Sequence, residues 1–258
     1  MQITSIHNPL LQNVRKAARE GRPTGDGLVV AEGPHLLEEA LRGTWHIAQV
    51  LTTSVGQSKY TGLLRRANTE VVEVSERAFD SLAGTQHSQG ILALLRPRNW
   101  TWAELTRDPA LIVVLDGIQD PGNAGTIVRS AEAFGGSGVV FLAGAAHVAN
   151  GKLLRASAGS IFRLPFIEGI TAPELLSNVR TSRLSLYALQ AHAGTLLSAA
   201  DLSRPLALIA GNEAKGVSPE LLSAAEVISI PTVRVESINA AVACSIALFA
   251  SQQQRSVS

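Results

Sequence analysis

Asn123–Gly135, NAGTIVRSAEAFG, decides the reading of this chain. It follows a short apolar run, Leu111–Leu115, and a turn-forming stretch, Asp116–Gly122, so the order is strand, glycine-punctuated turn, helix. Within the helix Ile127, Ala131 and Phe134 recur at i, i+4 and i+7 and make one core-facing stripe. Arg129 lies about 200° round the axis from Ile127 at 100° per residue, so it points away from that stripe. Helical side chains lean toward the N-terminus, which carries the guanidinium back over the Gly122–Gly125 turn. A positive fork above free backbone N–H groups suits a phosphate. On this segment alone the alternative is an ordinary N-cap at Asn123 and a solvated surface charge at Arg129.

Two further segments bear on that choice. Leu206–Ala210 reads as a buried strand and runs into GNEAKGVSPELL, Gly211–Leu222. Val227–Ile230 reads as another strand and opens IPTVRVESINAAVACSIALF, Ile230–Phe249. Three strand ends, each followed by a loop and a helix, converge on one sheet edge, where open α/β sheets bind ligands.

With these residues in view, the chain resembles the SpoU (TrmH-like) family of RNA ribose 2'-O-methyltransferases, members of the SPOUT superfamily. Asn123, Gly125, Arg129, Ala131 and Gly135 match its first motif. Gly211, Glu213 and Gly216 match the second, and Ile230, Pro231, Ser237 and Asn239 the third. The motifs keep the family's order and near-family spacing. The resemblance implies an α/β trefoil-knot methyltransferase domain, homodimeric, with sites at the interface and S-adenosylmethionine as cofactor. It further implies that Gly211, Ile230 and Ile238 contact the cofactor, largely through backbone. Glu213, Ser237 and Asn239 would shape the catalytic centre, Asn123 would hold the turn and a ribose or backbone contact, and Arg129 would be tied most directly to transfer. A guanidinium is effectively always protonated, so Arg129 is read as a clamp on the phosphate beside the target ribose rather than as a base. As structural alternatives, Asn239 caps the last helix and Ser237 bonds a loop amide.

The third motif departs from the family pattern. IPTVRVESIN is slightly shorter than usual, lacks the family's glycine, and has Ile238 where leucine is common. Arg234 in this loop is a candidate cation at the edge of the substrate or cofactor site.

The segment up to about Leu95 alternates helix and strand patterns: helix Leu10–Arg19, strand Leu28–Ala31, helix Pro34–Leu41, strand Ile47–Thr52, helix Lys59–Ala67, strand Val71–Val74, helix Glu76–Ser81 and strand Ile91–Leu95. Its Val30–Pro34 and Gln89–Ile91 motifs resemble the small substrate-binding domain of many SpoU enzymes, which implies an RNA grip and favours ribosomal over transfer RNA. Arg15, Lys16, Arg19 and Arg22 form its densest basic cluster, with Arg65–Arg66 a second; a solvated helix face is the alternative. The expected division is therefore a substrate-binding domain over 1–96, a linker over 97–108 and a methyltransferase domain over 109–258. The polar tail Ser251–Ser258 is expected to fray.

Composition narrows the classes. With 22 Lys/Arg against 21 Asp/Glu the net charge is +1, so any nucleic-acid site must come from local clustering rather than a bulk field. The single cysteine, Cys244, excludes an intramolecular disulfide and a cysteine-rich zinc site. It sits in an apolar helix, Ala240–Phe249, that suits an inert thiol better than a nucleophile. His7, His35, His46 and His87 lack metal-ligand spacing and read as surface or capping residues, so no metal is expected. No apolar run reaches transmembrane length and the first residues lack a secretory core, so a cytoplasmic protein off the membrane is expected. GxGxxG, GxxxxGK[ST] and GxSxG are all missing, which leaves a Rossmann dinucleotide site, a P-loop and a nucleophile elbow unsupported. The last helix is apolar all round and calls for burial on every side, which a partner chain would complete. Besides ribose methylation of ribosomal RNA, three readings stay open: methylation of a tRNA ribose, a non-catalytic RNA-binding assembly factor on the same fold, and transfer to a base nitrogen.

Overall fold

The computed structural model describes residues 2–82 and 88–257. Contacts divide the chain into two units, one holding the residues up to Asn99 together with His147–Arg163, the other Trp100–Ala146 and Leu164 to the end.

The first unit runs β1 (Gln2–Ile3), α1 (Pro9–Glu20), β2 (Val29–Glu32), α2 (Pro34–Arg42), β3 (His46–Thr52), α3 (Ser54–Lys59), α4 (Thr61–Ala67), β4 (Glu70–Val74), α5 (Glu76–Asp80) and β5 (Ile91–Arg96). Its five strands lie in the order β1-β4-β3-β5-β2, with β5 antiparallel to both neighbours. Asn8 caps α1 by accepting from the Leu10 N–H at 2.9 Å, and Leu11, Val14 and Ala17 bury its apolar face. The helix expected over Lys59–Ala67 is α4, and a further short helix, α3, precedes it, separated by Tyr60 at φ −113°, ψ 26°.

The second unit runs α6 (Trp102–Leu105), β6 (Leu111–Asp116), α7 (Pro121–Ala133) and β7 (Gly138–Leu142). The chain then crosses to the first unit for α8 (Gly151–Ala156). It returns with β8 (Phe166–Ile170), α9 (Ala172–Thr181), β9 (Ser185–Leu189), β10 (Thr195–Leu196), β11 (Leu206–Gly211), α10 (Pro219–Ala224), β12 (Glu226–Ser229) and α11 (Ala240–Val257). The seven strands are parallel, in the order β10-β12-β9-β11-β6-β7-β8. From β6 the chain builds outward through β7 and β8, then restarts on the far side at β9 and later fills the gap with β11. Leu111–Leu115 and Leu206–Ala210 are buried throughout, as central strands covered on both faces require. Side chains such as Ile112, Val114, Val140, Ala207 and Ile209 form the core with Leu175 and Leu221 from the helices.

Two expectations need correction, and residues 147–163, inside the expected methyltransferase domain over 109–258, pack with the first unit. There Phe162 meets Trp45 edge-on at 5.0 Å, and Arg163 Nη1 lies 2.6 Å from Glu39 Oε2. The linker over 97–108 is structured from Trp100 onward. Thr101 and Glu104 close a capping box at α6, and Trp100 and Trp102 lie against the second core. The polar tail continues as α11 rather than fraying. Arg255 donates to the carbonyls of Leu202, Pro109 and Ala110 at 3.2, 3.3 and 3.0 Å, and Gln254 bonds both Leu202 N–H and Ala200 O.

Candidate active site

Because the sheet is parallel, the carboxyl ends of β6, β9, β11 and β12 share one edge, where the three motifs lie. Asp120, not Asn123, caps α7: its carboxylate accepts the Asn123 N–H at 2.8 Å and its carbonyl the Ala124 N–H at 3.0 Å. The helix therefore begins at Pro121, and the Gly122–Gly125 stretch is its first turn. A phosphate seat over free amides there is corrected accordingly, since the capping carboxylate takes the place an anion would fill. Arg129 points away from the buried Ile127 and Ala131, exposed, with no hydrogen bond or ion pair among the described residues. Phe134 is only partly buried and meets Phe249 of α11 edge-on at 5.7 Å.

Freed from capping, the Asn123 side chain joins all three motifs. Its Nδ2 donates to Glu213 Oε1 at 2.6 Å, and its Oδ1 accepts from Asn239 Nδ2 at 3.1 Å. Asn239 also fulfils its alternative reading, since its Oδ1 accepts the Ala241 and Val242 N–H groups at 2.9 and 3.2 Å and so caps α11. Cap and cross-motif bond use opposite ends of one amide.

Beside this chain of bonds lies a cavity of about 580 Å³, within the range of roughly 300–1,000 Å³ usual for small-molecule sites. Gly211, Ile230, Ile238, Glu213, Ser237 and Asn239 all line it. Gly211 is needed for a reason internal to the chain. A Cβ there would stand 2.3 Å from both Gly216 C and Val217 N, so its absence lets the 212–216 loop fold back. That loop is closed by Asn212 N–H to Gly216 O at 3.0 Å and Gly216 N–H to Asn212 O at 2.8 Å. Ser237 makes no hydrogen bond among the described residues, and the third-motif loop is closed instead by Thr232 Oγ1 donating to Val235 O at 2.6 Å. Arg234 is exposed and does not line the cavity.

Sequence reasoning missed four contributors. Asn212 pins its loop, with Nδ2 on Gly117 O at 2.7 Å and Oδ1 accepting the Ala214 and Lys215 N–H groups; an Asx turn ahead of a glycine was the available signal. Gln190 at the end of β9, Lys215 and Glu236 also line the cavity, and nothing local distinguishes them from surface residues.

The basic cluster of the first unit divides. Arg15 is spent on structure, donating to Ser81 O, Ser81 Oγ and Ile6 O, and it is removed from the RNA-binding candidates. Lys16, Arg19 and Arg22 are exposed, Arg19 lying 3.8 Å from Glu20. His7, His35 and His46 are exposed, and His87 lies outside the described residues. No group of three His, Cys, Asp or Glu is placed to hold a metal among the described residues. Cys244 is fully buried, and desolvation pushes its thiol up to about 12, so it is no nucleophile at neutral pH. The last helix buries one face, through Ala241, Cys244, Ala247 and Leu248. It leaves Val242, Ile246 and Phe249 at 49%, 38% and 50% exposure, so burial on every side is not reached within one chain.

The seven-stranded parallel sheet with its cleft at the strand ends superposes on solved SpoU methyltransferases that carry AdoMet, and the protein is a SPOUT-type methyltransferase using S-adenosylmethionine. Residues 110–249 match the SpoU rRNA Methylase family and residues 8–93 the MRM3-like substrate binding domain. The chain belongs to the SpoU rRNA methylase family. An uncharacterized tRNA/rRNA methyltransferase of Synechocystis is 33% identical over 98% of this chain and 94% of its own. The Bacillus subtilis 23S rRNA (guanosine(2553)-2'-O)-methyltransferase is 29% identical over 96% and 98%. Among solved structures, the AdoMet complex of the SpoU methyltransferase AviRb from Streptomyces viridochromogenes superposes with a TM-score of 0.86. It is 26% identical, with 96% of this chain and 98% of that one covered. The AdoMet-bound rRNA methyltransferase of Sinorhizobium meliloti gives 0.85 at 25% identity, over 98% and 97%.

Proposed function

We propose that this protein methylates a ribose 2'-hydroxyl of ribosomal RNA. The observation that carries the reading is the Asn239–Asn123–Glu213 chain, which joins the three motifs at the rim of a cavity of cofactor size. The residues present fit the cofactor. Ile230, Ile238 and the close-packed backbone at Gly211 supply an apolar slot with peptide groups for the adenine. When bound, S-adenosylmethionine supplies an activated methyl group, which leaves the protein to align one hydroxyl and accommodate one proton.

Arg129, exposed on the outer face of α7, clamps the phosphate next to the target ribose and orients its hydroxyl. Asn123 has both ends of its amide engaged, so it holds Glu213 and Asn239 in register rather than gripping the ribose itself. Glu213 and Ser237 present polar groups to the cavity from opposite motifs. The first unit grips RNA, with Lys16, Arg19 and Arg22 contributing phosphate contacts. Val242, Ile246 and Phe249, at i, i+4 and i+7 on α11, form the apolar stripe through which two copies pair. No helix is long and apolar enough to cross a membrane among the described residues, and the protein works in the cytoplasm without a metal.

The test is transfer from labelled S-adenosylmethionine to ribosomal RNA, free and in assembled subunits, with the product mapped by nuclease digestion and mass spectrometry. A 2'-O-methylnucleoside is expected. A methyl group on a base, or none transferred by protein that binds the cofactor, would overturn the reading.

A further inference from the structure

The cavity's charges carry an inference about how its cofactor is held. Three charged side chains line it among the described residues: Glu213, Glu236 and Lys215. Glu213 is engaged by Asn123. Neither the Lys215 ammonium nor the Glu236 carboxylate has a hydrogen bond or ion pair among the described residues, so the single cation of the lining is unclaimed by the protein.

The backbone that carries Lys215 is held from several directions. Its own N–H bonds Asn212 Oδ1 at 3.1 Å, the loop is closed by the paired Asn212–Gly216 bonds, and Asn212 is anchored to Gly117 O at 2.7 Å. The lysine stem therefore rises from a fixed loop at the cavity wall, and only its four-carbon chain must be ordered on binding. The third-motif loop offers another cation, Arg234, but that residue lies off the cavity.

S-adenosylmethionine brings three charged groups: a sulfonium, an ammonium and a carboxylate. The lining offers two carboxylates to the cationic groups and a single cation to the carboxylate. We propose that Lys215 receives the carboxylate of the cofactor's amino-acid end and so selects cofactors that carry it. This rests on the cavity's being the cofactor site, as set out above.

Calorimetry on the full chain tests it, with S-adenosylmethionine against decarboxylated S-adenosylmethionine, which keeps both positive charges and lacks the carboxylate. The wild-type protein is expected to prefer the intact cofactor by roughly 10-fold, the lower end for a charge-assisted hydrogen bond. Lys215→Met should abolish that preference by weakening the intact cofactor alone, while Lys215→Arg should keep most of it. Thermal melting confirms that the variants fold. A Lys215→Met variant that weakens both ligands equally, or neither, overturns the proposal while leaving the cofactor site in place. Wild-type protein that binds neither ligand overturns the cofactor site itself, and the proposal with it.

Discussion

Asn123 and Glu213, 90 residues apart in the chain, share a 2.6 Å hydrogen bond, and the other end of the same Asn123 amide takes one from Asn239. A single side chain thus ties the first motif helix to the loops after β11 and β12. The geometry needs a donor at one end and an acceptor at the other, which an amide supplies and a carboxylate does not.

Asn123→Asp is therefore expected to be worse than the loss of one bond. It sets two carboxylates at hydrogen-bonding distance, and denaturant unfolding should register the bond's loss at about 0.5–1.5 kcal/mol with repulsion added. Adding Glu213→Gln should restore a donor–acceptor pair and recover most of the stability. A double variant no more stable than Asn123→Asp alone would show that the bond contributes nothing.

Arg129→Ala should leave folding and cofactor binding nearly intact, because the guanidinium has no partner among the described residues. Its methylation rate should fall by at least about 100-fold, the loss usual for a positioned transition-state donor. Lys should rescue little, lacking the planar fork. Near-normal turnover by the Ala variant removes Arg129 from the mechanism.

Gly211→Ala forces a methyl group into the Gly216–Val217 backbone at 2.3 Å. Overpacking of this kind costs about 1–3 kcal/mol, and the displaced loop carries Glu213 and Lys215 with it. Lower thermal stability and weakened cofactor binding should appear together. Unchanged binding would separate the loop from the cofactor site.

Ile238→Asp places a charge on the apolar wall of the cavity, where burial without a partner costs several kcal/mol. Calorimetry should detect no S-adenosylmethionine binding. Since Ile238 lies close to the exposed stripe of α11, sedimentation should run alongside, to separate a lost site from lost association. A variant that associates as the wild-type protein does and binds normally would move the third motif away from the pocket.

Arg255→Ala probes the C-terminal segment. Hydrogen bonds from a charged donor contribute about 1.5–3 kcal/mol, and Arg255 reaches the carbonyls of Leu202, Pro109 and Ala110. A loss of that size is expected on denaturation. A change within about 0.5 kcal/mol, ordinary for a surface position, would mean that the tail is frayed in solution.

Much of the fold was legible locally. Leu111–Leu115 and Leu206–Ala210 read as buried strands because a central parallel strand is apolar on both faces, and that run needs no partner to be recognised. Spacing also put Asn123, Glu213 and Asn239 at strand ends on one edge. It did not reveal that they bond one another, because a hydrogen bond between residues 90 and 116 positions apart is a property of how three loops meet. The alternative of an N-cap at Asn123 falls three residues late, Asp120 being the cap, for a related reason: both are good capping residues, and only the helix's entry angle chooses between them. Likewise Arg15 and Arg255 look like solvated charges until folded carbonyls surround them. The sequence by itself determined the strands and helices that carry the motifs and the chemical types at the sheet edge, since these follow from periodicity and residue chemistry. Tertiary structure alone decided which polar groups are consumed by the fold and which stay free for a ligand, because a side chain's partners are set by elements distant in the chain.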